Sequence, residues 1–389
     1  MADHDLWFHA DVDGEQNEYY TYICIYVDDV LIVSHQPSKY MDQIKGRFLV
    51  KPDSIEVPKR YLGMDCKRTD ENVWLLGPNH YLQEFIKVSS KLLDEIGIKL
   101  MGRGHHPFSN IKYWPELDTS DFCDESQTRV FQQILGMLRW LIELGRVDVL
   151  LETTLLASFL MAPRVGHLDQ VSKIVLYLKK HQRSTLMMDP AKLDLRWDGN
   201  DDDNPERRRE IMKTIYRDAN DEFPPNAPPA KGKSVQVNIY CDSDHASDRT
   251  TRRSHTGIIL FVNMAPISWY SRKQATIESS TFGSEYVALR VAIEKAISMR
   301  YKLRMMGLKI DGSANIFMDN ESVVKSRMNP EATLKKKHVS IAYHKSRESF
   351  AGGIITIYWI PSDENLADLF TKVLDVRKRK NLFRSGIFY

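Results

Sequence analysis

Four acids carry the chemistry this sequence could do: Asp242, Glu285, Asp319 and Asp368. Asp242 ends an alternating stretch, with Val235, Val237, Ile239 and Cys241 on one strand face and Asn238, Tyr240 and Asp242 on the other. Asp319 follows the apolar Ile316, Phe317 and Met318 at the end of a second strand. Glu285 stands near the start of a long helical stretch, on one face with Leu289, Ala292 and Ala296, and so points toward the sheet. Asp368 lies in a closing helical stretch. A carboxylate aimed at an apolar interior is costly unless it is paired or bound to metal. Hard divalent cations take oxygen ligands, and two such ions can clamp the attacking and leaving oxygens of a phosphodiester. Read singly, each acid has a plainer explanation: Asp242 as a turn residue, Glu285 as partner of a Lys or Arg, Asp319 as a helix cap, Asp368 as a solvated helix position.

The elements that must position them follow in sequence. A hairpin, TGIILFVNMAPISWYSRK, precedes the long helix that opens at SSTFGSEYVALR; the strand ANIFMDNES follows, then the strand GGIITIYWIP and the helix NLADLFTKVL. This order of elements and acids resembles ribonuclease H. More narrowly, CDSDHASD, TRRSHTG, PISWYSRKQ, ESSTFGSEYVALR, MDNESVV, KKKHVSIAYH and NLADLFTK resemble the ribonuclease H domain of copia-type LTR retrotransposon Pol polyproteins, over residues 233–375.

The resemblance implies an α/β fold, a ribonuclease H-like mixed five-stranded sheet with flanking helices. It implies hydrolysis of the RNA strand of an RNA–DNA hybrid by two Mg²⁺ ions, with Mn²⁺ an alternative. Asp242, Glu285 and Asp319 would bridge and flank the ions, and Asp368 would complete the second site. Some ribonucleases H carry a histidine in the loop before the last helix; here that loop, Ser362–Asn365, has none. His245 is the candidate replacement, against a solvated loop histidine. Arg252, Arg253, Ser254, Ser271, Arg272, Lys273 and Gln274 sit at hairpin ends and are candidate contacts for phosphates and 2′-hydroxyls. Lys336, Lys337 and His338 begin a helix, where cations oppose the helix dipole, which makes them candidates for an anionic partner, with pairing to acids elsewhere as the competing account.

Upstream, YYTYICIYVDDVLIVS reads as a β-hairpin with Asp28 and Asp29 in its connection. Adjacent acids repel, and a metal ion is a reason to place both there. IYVDDVLIV resembles the palm hairpin of reverse transcriptases, which makes Asp28 and Asp29 metal ligands. YLGMDCKR, residues 61–68, is similar to the strand after that palm. A third palm acid is expected on an earlier strand. Eighteen residues precede Tyr19, and no apolar strand is expected to carry Asp3, Asp5, Asp11 or Asp13. The chain is therefore expected to hold the back part of a polymerase and not to polymerise alone.

Five segments are expected: a partial palm over 1–75, a helical thumb and connection over 76–196, a linker over 197–234, the ribonuclease H-like domain over 235–375 and a basic tail over 376–389. In the helical segment Ile134, Met137, Leu138, Leu141 and Ile142 repeat at helix spacing, as do Leu168, Val171, Ile174, Val175 and Leu178. The linker is read from Asp201–Asp203, Arg207–Arg209 and the Pro-rich PPNAPPAKGK, its charges taken as solvated. The tail's RKRK is likewise read as solvated, against a basic patch for nucleic acid or nuclear import.

With 389 residues and 42% hydrophobic composition the chain suits two or three domains. No apolar run is long enough to span a bilayer, so no membrane partner is expected. Cys24, Cys66, Cys123 and Cys241 are scattered and read as reduced thiols. A net charge of +2 gives no bulk argument for nucleic acid, so any such case must come from local patches. The expected partners are RNA–DNA hybrid, single-stranded nucleic acid and upstream Pol fragments, namely integrase and the N-terminal reverse transcriptase. The expected location is the cytoplasm, within a virus-like particle, or the nucleus. The alternative is an inactive retroelement remnant that only binds nucleic acid.

Overall fold

The computed structural model describes residues 4–51, 55–195, 204–328, 340–384 and 386–388. The chain begins with an antiparallel sheet of β1 (Leu6–Val12), β2 (Glu18–Tyr26) and β3 (Asp29–Val33), followed by α1 (Pro37–Lys45). β1 corrects the expectation that no strand precedes the hairpin. Asp11 sits on it and is engaged: it accepts from the hydroxyls of Thr21, at 2.9 Å, and Tyr40, and pairs with Lys39 at 3.0 Å. Residues 61–68 hold the end of β4 (Arg60–Tyr61), a tight turn at Leu62 and Gly63, and the strand β5 (Met64–Arg68). Gly63 at φ +83° makes that reversal, a backbone region where a Cβ is disfavoured.

β6 (Trp74–Gly77) continues this second sheet. Four helices come next: α2 (Asn79–Glu95), α3 (Glu125–Glu143), α4 (Leu150–Ala157) and α5 (Val165–Lys180). α3 opens with a capping box between Asp124 and Gln127. The apolar stripes expected on α3 and α5 form its core with Leu82 and Phe85; Ile134, Leu138, Val171 and Ile174 are fully buried, and Met137 is half-buried against them. β7 (Leu186–Met188) then returns to pair with β6.

The segment expected as a linker is, over its described residues, part of the following domain. α6 (Pro205–Ile215) buries Met212 in that domain's core. Arg209 donates to Thr356 Oγ1 at 2.6 Å and to Phe350 O, and Asp221 accepts from Arg300 and Arg304. Asp201–Asp203 lie outside the described residues.

β8 (Lys231–Val235) is followed by the sheet that organises the site: β9 (Val237–Ser243), β10 (His255–Val262) and β11 (Ala265–Lys273). The helix α7 (Thr281–Met305) leads to β12 (Leu308–Ile310), which pairs with β8, and to β13 (Ala314–Met318). After α8 (Glu321–Met328) and α9 (Ser340–Ala351) comes β14 (Ile355–Trp359). The five strands lie in the order β11-β10-β9-β13-β14. β9 and β10, and β10 and β11, are antiparallel; β13 runs parallel to both β9 and β14. This is the mixed five-stranded sheet that was expected. Its core joins Val237, Ile239 and Cys241 to Leu289, Ala292, Ile293 and Ala296 of α7.

Residues 366–370 form a 3₁₀ turn, not the α-helix expected there. The basic tail is not free either: α10 (Val376–Arg384) buries Arg379, Leu382 and Phe383, and Ile387 O accepts from Met187 N–H. Among the described residues no helix is long and apolar enough to cross a membrane.

Candidate active site

Strand register brings the first two acids together. β13 lies beside β9 with Asn315 opposite Asn238 and Phe317 opposite Tyr240. Two residues further along, Asp319 comes abreast of Asp242, where both parallel strands end. Glu285 reaches them from the first turns of α7, whose Ser280 cap accepts the Gly283 N–H at 3.2 Å. Ligand oxygens of Asp242, Glu285 and Asp319 all lie within 4.8 Å of one another. They line a cleft of about 420 Å³ with Asp244, His245, Asn320 and Lys372.

The cleft wall depends on one close approach. Gly257 of β10 is the register partner of Asp242, and a Cβ there would stand 2.7 Å from Ala367 O and from Thr371 Cγ2. Glycine lets the 366–370 turn lie against the sheet. That contact places the Thr371 hydroxyl, which donates to Asp242 Oδ2 at 2.5 Å. Asp319 is held from the other side, where Ser362 donates to its Oδ2 at 2.6 Å.

Burial and like charge act together here. Burial pushes the Glu285 carboxyl well above its ordinary range, and the Asp242 and Asp319 charges push it further. Asp242 is raised by burial first, against the attraction of Lys372. Glu285 Oε2 is buried and takes no hydrogen bond among the described residues. An unpartnered oxygen facing two more carboxylates suits a hard cation, and three oxygen donors match Mg²⁺ or Mn²⁺ rather than a softer ion.

Asp368 is not part of that cluster. It is 1% exposed, with Lys372 Nζ at 2.7 Å from one oxygen and Lys378 Nζ at 2.6 Å from the other. Lys372, Lys378, Thr371 and Asp244 were assigned no role from sequence. The first signal available was the Asp368–Lys372 spacing of four inside NLADLFTK. Asp244 is buried and accepts the His255 backbone N–H; burial lifts its carboxyl to about 6. His245 is exposed on the cleft.

The expected nucleic-acid contacts divide. Arg252, Arg253 and Arg272 are exposed, and Lys273 is half-buried against Asp248. Ser254, Ser271 and Gln274 face inward instead. Ser254 Oγ accepts Ala246 N–H, Ser271 donates to Phe370 O at 2.7 Å, and the Gln274 amide donates to Thr256 and Ser284. They hold the hairpin together and are corrected as surface contacts. Lys336, Lys337 and His338 lie outside the described residues. Asp28 and Asp29 are exposed at the β2–β3 turn, as expected for that hairpin. The described residues hold one cluster of three or more potential metal ligands, and these two acids are not in it.

No family model matches the chain. It is 22% identical over 356 residues to the retrovirus-related Pol polyprotein from transposon RE1 of Arabidopsis thaliana, covering 91% of this chain and 20% of that protein. To the Pol polyprotein from transposon TNT 1-94 of Nicotiana tabacum it is 23% identical, covering 92% of this chain and 23% of the relative. A transposon Ty5-1 protein of Saccharomyces cerevisiae is 23% identical, with 74% of this chain and 75% of that protein covered. The chain thus spans about a fifth of the first curated relatives it matches. Solved structures similar to it include the N-terminal RNase H domain of a Mycobacterium tuberculosis protein, 16% identical with a TM-score of 0.29, covering 39% of this chain and 99% of that one. LC11-RNase H1 in complex with an RNA/DNA hybrid is 20% identical with a TM-score of 0.28, covering 35% and 94%. The homologues of this chain are retrovirus-related Pol polyproteins of copia-type transposons, matched over 91% of its length.

Proposed function

We propose that the chain is the ribonuclease H-type endonuclease part of such a polyprotein, cutting the RNA strand of RNA–DNA hybrids with a divalent cation. The observation that carries this is the cluster of Asp242, Glu285 and Asp319 oxygens within 4.8 Å, one of them buried and unpartnered. Support also comes from the mixed five-stranded sheet and the Pol homology.

Asp242, Glu285 and Asp319 would hold the cation, Mg²⁺ or Mn²⁺. When bound, it supplies Lewis-acid stabilisation of phosphoryl charge. Thr371 and Ser362 fix the Asp242 and Asp319 carboxylates by donating to them. His245 stands exposed on the cleft, where its imidazole can carry a proton to or from solvent. Arg252, Arg253 and Arg272 offer exposed cations to phosphates. Catalysis then rests on positioning and charge more than on acid–base chemistry.

In the same reading, residues 1–75 are a partial polymerase palm, with Asp28 and Asp29 presented at the hairpin turn, and residues 76–196 are its thumb and connection. The Pol homology and the hairpin support this part.

The test is specificity. A labelled RNA strand is presented with Mg²⁺ in an RNA–DNA duplex, in an RNA–RNA duplex and alone. Cleavage confined to the hybrid is expected. Cleavage of all three, or retained hybrid binding with no cleavage, rejects the reading, and the second outcome favours a binding remnant.

A further inference from the structure

Asp242 and Asp368 share one ammonium. Lys372 Nζ lies 3.2 Å from Asp242 Oδ2 and 2.7 Å from Asp368 Oδ1, between two side chains that are each 1% exposed. The second oxygen of Asp368 is taken by Lys378, which also donates to Ser362 O at 3.2 Å. Lys372 is anchored through its backbone as well, its N–H donating to Asp368 O at 3.1 Å. Both partners of Asp242 Oδ2, Thr371 and Lys372, belong to the segment that Gly257 lets approach the sheet.

A second divalent ion bridging Asp242 and Asp368 would need the space this ammonium fills. We propose that Lys372 is a built-in second cation, so that this cleft takes one divalent ion, at Asp242, Glu285 and Asp319, where the sequence resemblance implied two. This rests on the reading of those three acids as a cation site.

Electrostatics support it. A second ion beside Asp242 and Asp368 would stand against an ammonium already held by two carboxylates. Lys372 is therefore a positioning residue. It orients Asp242 and keeps Asp368 from acting as a ligand.

Counting Mn²⁺ bound to the intact chain, from the free-ion electron paramagnetic resonance signal, tests this without turnover. With Asp28 and Asp29 replaced by Asn throughout, so that only the cleft is counted, one ion per chain is expected with no further change, for Lys372→Arg and for Asp368→Asn. Lys372→Met should bind a second ion at least about tenfold more tightly than the chain with no further change does. Two ions on the chain with no further change, falling to one in Asp368→Asn, would overturn the proposal and leave the nuclease reading standing. No bound ion at all would overturn both, because the three-acid cation site itself would be absent.

Discussion

Arg379 of α10 donates to Glu152 of α4 at 2.8 Å, and both side chains are buried. The pair joins segments 227 residues apart and fixes the helix that carries Lys378, whose ammonium holds Asp368. Removing one partner strands the other charge in the interior. Arg379→Met should destabilise the protein by about 3–5 kcal/mol in urea unfolding. Arg379→Met with Glu152→Leu should recover much of that loss, since the stranded charge goes too. Equal stability of Arg379→Met and the unaltered chain would show that the pair contributes nothing.

A cation that binds only the folded site must stabilise it. In Mg²⁺ at about a hundred times its Kd, the melting transition should gain about 2.7 kcal/mol over EDTA. Glu285→Gln should lose that gain and melt no lower than the unaltered chain in EDTA, because burial and its two acidic neighbours already disfavour the Glu285 charge. A full Mg²⁺ gain in Glu285→Gln would place the ion elsewhere.

His255 sets an acid limit. Its imidazole is buried, and because the Ser271 proton goes to Phe370 O, His255 Nε2 carries the proton that Ser271 accepts at 2.8 Å. Burial, then Lys273, pushes its pKa down to about 3. The unfolded chain protonates this ring below about pH 6.5 and the fold does not. The folded pKa is the depressed one, so His255's contribution is complete above pH 6.5 and is lost as pH falls toward 3. The stability difference between the unaltered chain and His255→Gln should shrink by about 2 kcal/mol from pH 7.5 to pH 5.0. A gap independent of pH would mean that the ring takes up its proton in the fold.

The exposed arginines at the hairpin ends should read out in salt. Replacing Arg252, Arg253 and Arg272 by Gln removes three charges from the surface without touching the core. The slope of log affinity against log salt for an RNA–DNA hybrid, measured in EDTA, should fall by about 2–3, and affinity should drop uniformly across sequences. An unchanged slope would move the binding face elsewhere.

The three acids of the cluster were legible because strand alternation and helix spacing are local. Asp242 and Asp319 end apolar strands, and Glu285 shares a face with Leu289 and Ala292. The state of Asp368 was legible only in part, through the spacing of four to Lys372. Its lysine partners and the Thr371–Asp242 bond, which spans 129 residues, depend on how closely a 3₁₀ turn lies against β10. Charge-rich stretches misled in one consistent way. Arg209, Asp221 and Arg379 sit in segments whose composition suggests solvation, yet each is paired with a distant group. Composition records charge but not its partner. β1 was legible and was missed: Leu6, Phe8, Ala10 and Val12 alternate with Trp7, His9 and Asp11, although Phe8 and Val12 remain exposed after pairing with β2.

The most direct measurement is cleavage of the RNA strand of an RNA–DNA hybrid in Mg²⁺ by the intact chain, Asp242→Asn and Asp319→Asn, with hybrid binding followed in parallel. Cleavage by the intact chain, reduced at least about a hundredfold in both variants while hybrid binding persists, is the predicted result. Cleavage that survives in either variant, or none by the folded intact chain, would contradict the assignment of these carboxylates as the catalytic cation site.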